Sequence, residues 1–185
     1  KEVGIKKKEL IERHNLVIIR IHDTWDIRPE FGMSDAWASF LGFGKRTALH
    51  KKGFQSRYDI EPTTVYELAV KIASKTAKIG EPMVQIIGDQ NKIVSKVCLG
   101  PGYASHVQVG KELGCDINIM ADDGSLFWKD IQSAVDMDYP IIRVNHGTSE
   151  ESGTIRMAEY LNKNFEGINA VHMPIKPFFK MVGKR

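Results

Sequence analysis

The stretch IVSKVCLGPGYASHVQVGKELGCDINIM, residues 93–120, decides the fold. Its β-branched start, 93–99, reads as a strand. Gly100, Pro101 and Gly102 turn the chain, a helix is expected over 105–113, and residues 117–120 read as a second strand. The alternation continues with a helix over 127–137, a strand over 141–144 and a helix over 150–164. Strands alternating with helices of this length predict an α/β fold with mostly parallel strands.

Working toward the N-terminus, Thr64 and Glu67 form a capping box ahead of Val65, Leu68, Ala69, Ile72 and Ala73 at helical spacing. Residues 83–87 and 93–99 flank the turn formers Gly88, Asp89, Gln90 and Asn91, which predicts a hairpin. Residues 42–60 carry glycine, basic and polar residues without a sustained period, the pattern of a loop, an irregular strand pair or a lobe boundary, and the linker is placed there. Before it, Ser34 or Asp35 caps a short helix with Ala36, Trp37, Phe40 and Leu41 facing inward, ended by Gly42. The run LVIIRI, residues 16–21, has the pattern of a strand covered on both faces, and residues 2–14 read as a surface helix.

Composition bounds the rest. The chain has 185 residues, of which 42% are hydrophobic, enough for a packed core. No apolar run approaches the roughly 20 residues of a membrane helix, and the charged first fourteen residues do not form a signal peptide. Twenty-six basic against 23 acidic residues is too even a balance to demand a polyanion, which argues against nucleic acid as a partner. The clusters at Lys6 to Lys8 and Lys45 to Lys52 read as solvated surface. Cys98 and Cys115 lack CxxC spacing and suit buried thiols in a reducing compartment, so the cytoplasm is the expected location. Ser105 stands where the third glycine of GxGxxG belongs, which argues against a dinucleotide site.

Two distant segments share one layout. Ile18, Ile19, Arg20, Ile21, His22, Asp23, Thr24, Trp25, Asp26 and Ile141, Ile142, Arg143, Val144, Asn145, His146, Gly147, Thr148, Ser149, Glu150 each place a histidine past a buried strand and a carboxylate four residues later. The carboxyl edge of an α/β sheet is where ligands collect. If the copies face each other, His22, Asp26, His146 and Glu150 converge. Imidazole and carboxylate ligands suit divalent ions, a carboxylate can bridge two, and zinc, iron, manganese or nickel all fit such a set. Thr148 and Glu151 also spell a helix start, and His22 and Asp26 alone would read as strand-end and turn residues. The repeat raises all four.

Asp122 and Asp123 occupy the same sheet edge and suit groups that support a ligand or act as a base, or residues that turn the chain into Gly124. His106 either reaches that edge or begins a helix. Asp23 and His106 are the local residues available to complete a metal shell. His14, His50 and His172 have no partner at useful spacing and read as surface residues.

These residues resemble the Nif-three-like proteins, dinuclear-metal hexameric proteins also described as GTP cyclohydrolase type-two homologues. HDTWD at 22–26 resembles the family's H-T-N-L-D element, and DAWASFLG at 35–42 the helix after it. NHGTSE at 145–150, with Ala158, Glu159, Tyr160 and Leu161, is similar to its G-H-x-x-[ST]-E and A-E-x-L elements. The resemblance implies that Asp26, His146 and Glu150 are metal ligands, with Glu150 touching both of two ions per protomer, and matches His22 to a family histidine. It implies two similar α/β lobes with the metals between them: here residues 1–60, the remainder of a first lobe, and 61–185, the second. It also implies a homohexamer. The family's His-His pair, or its H-E-P variant, has no counterpart here: either it lies in a segment upstream of Lys1, the favoured expectation, or the metal site is incomplete. The expected function is that of a metal-dependent hydrolase acting on a small polar substrate such as a nucleotide or pterin-like ring. The competing expectation is a non-catalytic oligomeric module that binds metal together with a ligand or regulatory protein.

Overall fold

The computed structural model describes residues 1–175, 179, 180 and 182. Six strands form one sheet in the order β1-β2-β4-β5-β6-β3: β1 (Arg46–Leu49), β2 (Ser56–Thr64), β3 (Gln85–Ile87), β4 (Ile93–Leu99), β5 (Ile117–Ala121) and β6 (Ile141–Val144). β4, β5 and β6 run parallel at the centre, with Val97 beside Ile117 and Ile119 beside Ile142. The pairs β1–β2, β2–β4 and β3–β6 are antiparallel. The fold is therefore α/β with a parallel core, as the alternating pattern predicts.

Helices α1 (Glu2–Arg13), α2 (Asp23–Asp26), α3 (Met33–Leu41), α4 (Val65–Thr76), α5 (Val107–Glu112), α6 (Gln132–Asp136) and α7 (His146–Asn164) accompany the sheet. Residues Phe127–Ile131 add a π-helical turn before α6. The capping box on α4 forms as read: Thr64 Oγ1 accepts from Glu67 N at 3.1 Å, and Glu67 Oε2 accepts from Thr64 N at 3.1 Å. Val65, Leu68 and Ile72 of α4 pack with Trp37, Val97, Leu99, Ile117 and Ile142 in the main core. α1 buries none of its residues, as a surface helix should. Among the described residues no helix is long and apolar enough to cross a membrane.

Several expectations are corrected. Residues 16–21 are not a strand. They belong to no strand or helix, with Val17 86% and Ile19 78% exposed. A β-branched run becomes a strand when a neighbour accepts and donates its ladder hydrogen bonds; among the described residues no strand pairs with this one. The hairpin does not form either. β3 crosses to the far edge and pairs Ile86 with Ile142, while Val65 N and Tyr66 N bond Lys92 O and Gln90 O, so the turn between β3 and β4 is tied to the start of α4. Residues 42–60 hold β1 and the first part of β2, an irregular pair with a register shift between Arg46 and Ala48. Of the expected second lobe, 176–178, 181 and 183–185 lie outside the described residues.

α3 starts two or three residues ahead of the expected cap, with Gly32 at its N-cap. Asp35 instead accepts from Glu30 N at 2.9 Å and from Tyr58 OH at 3.1 Å. α7 begins at His146 rather than at Glu150, because the Asn145 side chain accepts from Gly147 N at 3.2 Å and caps it. Thr148 and Glu151 therefore lie inside the helix. His50 and His172 are not surface residues. Their imidazoles are 12% and 17% exposed and face Glu112 at 3.6 Å and Glu151 at 3.3 Å, partners too distant in sequence for spacing to reveal.

Candidate metal centre

The second copy of the repeated layout is held by the carboxyl ends of β5 and β6. Asp122, just past β5, accepts from His146 N at 3.0 Å through Oδ1 and from Asn145 Nδ2 at 3.0 Å through Oδ2. Glu81 accepts from Asn145 N with both oxygens, at 2.9 and 3.1 Å. Two carboxylates thus fix the main chain at the start of α7. One helical turn apart, His146 Nε2 and Glu150 Oε1 stand 3.1 Å from each other.

The first copy reaches this place without a strand. α2 and α3 dock on α7: Trp25 Nε1 donates to Gly153 O at 3.1 Å, Arg28 Nη2 donates to Tyr160 OH at 2.8 Å, and Arg156 Nη1 donates to Glu30 O at 2.6 Å. Arg28 also lies 4.7 Å over the Tyr160 ring. That anchorage packs the segment that carries His22 and Asp26 against the helix that carries His146 and Glu150. The charges of Asp26 and His22 reach Glu150, and that of His146 reaches Asp26.

Within the first copy, His22, Asp23 and Asp26 each offer a ligand atom, all within 4.8 Å of one another. His22 Nδ1 hydrogen-bonds Asp23 Oδ1 and stands 3.8 Å from Asp26 Oδ2. Burial raises the Asp26 carboxyl above its ordinary value, an effect partly opposed by His22. Burial likewise raises Glu150, opposed by His146. His22 is raised, first by its Asp23 hydrogen bond and then by Asp26. In His146 burial pulls the imidazole down, yet Asp123 and Glu150 leave it raised overall.

The residues fit a divalent ion in shape as well as in chemistry. Gly102, at φ +48°, faces the His146–Glu150 pair: a Cβ built there would fall on Glu150 Oε1 and 2.8 Å from His146 Nε2. Its backbone N–H donates to Ser149 Oγ at 2.9 Å, which clips the loop over α7. Gly102 was legible only as part of a glycine turn; its role as a wall of the site depends on how the loop folds. Asp23 joins the group, whereas His106 sits at the start of α5, 3.9 Å from Asp130 and buried enough to be lowered. Asp123 contacts His146 Nδ1 at 2.7 Å. Cys98 and Cys115 are buried free thiols.

An α/β sheet with a histidine–carboxylate pair at its carboxyl edge, and a His22–Asp23–Asp26 group on the segment packed against the helix bearing that pair, defines a class of candidate metal-binding proteins. Residues 3–177 match the family described as Duf34/NIF3 (NGG1p interacting factor 3), and the chain belongs to that family. Solved structures share the fold. The Staphylococcus aureus hypothetical protein SA1388 superposes with a TM-score of 0.75 at 17% identity, over 92% of this chain and 71% of that one. Protein ybgI, of unknown function, gives 0.66 at 22% identity, over 77% and 56%. Reduced HcgD from Methanocaldococcus jannaschii gives 0.65 at 18% identity, over 87% and 62%. The chain thus spans 56–71% of these structures. A comparison with curated proteins finds no match.

Proposed function

We propose that His22, Asp26, His146 and Glu150 hold divalent metal, two ions per protomer with Glu150 shared, and that the protein is a metal-dependent hydrolase acting on a small polar substrate of the nucleotide or pterin-like class. The observation that supports this most is the place of the His146–Glu150 pair under the Cβ-free face of Gly102, since it leaves room beside Glu150 Oε1 where any other residue would fill it. A bound divalent ion supplies Lewis acidity and activates water. The chain's own residues hold and shield it: α2 and α7 supply the donors, and the loop at Gly102 covers them. Asp23, exposed beside His22, suits proton exchange with solvent. Zinc, iron, manganese and nickel remain equal candidates on this donor set.

The second reading is a non-catalytic oligomeric module in which the metals brace α2 against α7 and a ligand or regulatory protein binds. The exposed run at 16–21 and the Phe127–Trp128 pair, with Trp128 78% exposed, favour it, since apolar surface of this kind marks interfaces. Self-association to a hexamer and a cytoplasmic location belong to both readings.

Elemental analysis of the purified chain and of Glu150→Gln tests the proposal. Two ions per protomer in the native chain and loss of metal in the variant are expected, with the thermal midpoint of the metal-free protein little changed. Unaltered metal content would remove Glu150 from the site. Turnover against a nucleotide library, present or absent in the metal-loaded protein, separates the two readings.

A further inference from the structure

We infer that Asp123 is a positioning residue of this centre, which fixes the tautomer and ring plane of His146 so that Nε2 is the nitrogen offered to a metal; the inference rests on the metal reading above. Asp123 Oδ2 lies 2.7 Å from His146 Nδ1, while Nε2 of the same ring points at Glu150 Oε1, 3.1 Å away. Neutral imidazole carries one ring proton, and the hydrogen bond at one nitrogen decides which nitrogen keeps its lone pair. Carboxylates face both nitrogens, but the contact at Nδ1 is the shorter, 2.7 Å against 3.1 Å, and has hydrogen-bond geometry, so Asp123 holds the proton at Nδ1 and leaves Nε2 to ligate.

The two adjacent aspartates divide the labour. Asp122 is committed to main chain and to Asn145: it accepts from His146 N, Asn145 Nδ2 and Asp123 N. It places the start of α7 but does not touch the ring. Asp123 alone among the described residues hydrogen-bonds Nδ1. The loop is shaped to bring it there. A Cβ at Gly124 would lie 3.0 Å from Gly102 O and 3.1 Å from Tyr103 Cα, so the Asp123–Gly124 turn seats directly on the loop that covers His146 and Glu150.

Asp123 and His146 are 53% and 38% exposed at their side chains. An ion pair this open adds little to stability, so its removal should show in the ring and in metal binding rather than in folding. That distinguishes positioning from scaffolding.

The experiment uses the full chain and its Asp123→Ala and Asp123→Asn variants. Zinc affinity is measured by competition with a chelator, and the His146 ring nitrogens are read by 15N NMR in metal-free protein above the imidazole titration. We expect the Nδ1–H tautomer in the native chain and reversion toward Nε2–H in Asp123→Ala. Zinc affinity should fall about 10- to 100-fold in Asp123→Ala, with much of it restored in Asp123→Asn, whose amide oxygen still accepts from Nδ1. Unchanged zinc affinity or an unchanged tautomer in Asp123→Ala overturns the inference and leaves the metal reading standing. A native chain that takes no zinc overturns the metal reading instead, and the metal-free tautomer then decides the role of Asp123 by itself.

Discussion

The indole Nε1 of Trp25 donates to the carbonyl oxygen of Gly153 at 3.1 Å, across 128 positions of sequence. Trp25 precedes Asp26 by one residue, and Gly153 follows Glu150 by three. This one hydrogen bond, buried with 7% of Trp25 exposed, therefore joins the two halves of the candidate centre. Gly153 makes the approach possible, because a Cβ there would collide with Met33 Sδ and lie 3.0 Å from Met33 Cα.

Gly153→Ala should accordingly push α3 off α7. The thioether of Met33 can swing aside, but its Cα belongs to the backbone at the start of α3 and must shift with the helix. A loss of about 1–3 kcal/mol is expected, in the range of other overpacked contacts, together with reduced metal uptake as Asp26 withdraws from Glu150. Denaturant unfolding and metal stoichiometry on the same sample check both parts. Full metal content at reduced stability would show that the two pairs do not act together.

Gly102→Ala should act on the centre itself. The substitution meets a positive φ of +48°, which costs a residue with a Cβ about 1 kcal/mol or more, and it drives the methyl onto Glu150 Oε1 and His146 Nε2. Metal content should collapse. Gly44→Ala is the control, since nothing lies within 4 Å of a Cβ there and no positive φ is imposed; its metal content and stability should match the native chain.

How far the sequence reading reached can be seen by setting 16–21 beside 141–144. Both are β-branched runs ending in a histidine and then an acid, yet 141–144 is a buried strand and 16–21 is not a strand at all. Periodicity reports what a segment would like to be buried against; pairing depends on a neighbour elsewhere in the chain. His22, Asp26, His146 and Glu150 are legible as candidates because residue type and spacing repeat. The contact between the segments that carry them is not: Trp25 stands in the sequence only as a member of the repeated layout, and Gly153 as a helix position with no special claim. His172 against Glu151 and His50 against Glu112 escaped for the same reason, since their partners arrive from distant elements.

Glu81 gives the pH dependence. Burial raises its carboxyl above the ordinary value of 4.5, the Thr148 and Asn145 contacts only partly oppose this, and the Asp122 charge adds to it. A group whose folded value is raised binds its proton more tightly in the folded chain, so its contribution to stability is present below 4.5 and is lost as pH climbs through the raised value. Asp26 and Glu150 act in the same direction in metal-free protein. Glu81→Gln keeps one acceptor for Asn145 N and cannot ionise, so its stability relative to the native chain should improve as pH rises from 4.5. Midpoints of denaturant unfolding taken along that range check it, and parallel curves for the two proteins would refute the assignment.

Thr64→Ala removes the hydroxyl that accepts from Glu67 N, and about 1 kcal/mol of stability should go with it. The Glu67 carboxyl, held below its ordinary value first by the Thr64 backbone N–H and then by the Thr64 hydroxyl, loses its helix-capping contribution as pH falls through that lowered value. The variant should therefore show a shallower acid limb than the native chain in a titration of unfolding midpoints. Thr64→Ser, which keeps the acceptor, should restore both. Metal content should stay at the native level throughout, because α4 supplies no ligand and reaches the centre only through the core. That expectation makes Thr64→Ala the necessary companion to Gly153→Ala: two variants of similar stability loss, one of which touches the contact between α3 and α7. If both lost metal equally, lowered stability alone would explain the effect, and the Trp25–Gly153 link would carry no part of the binding.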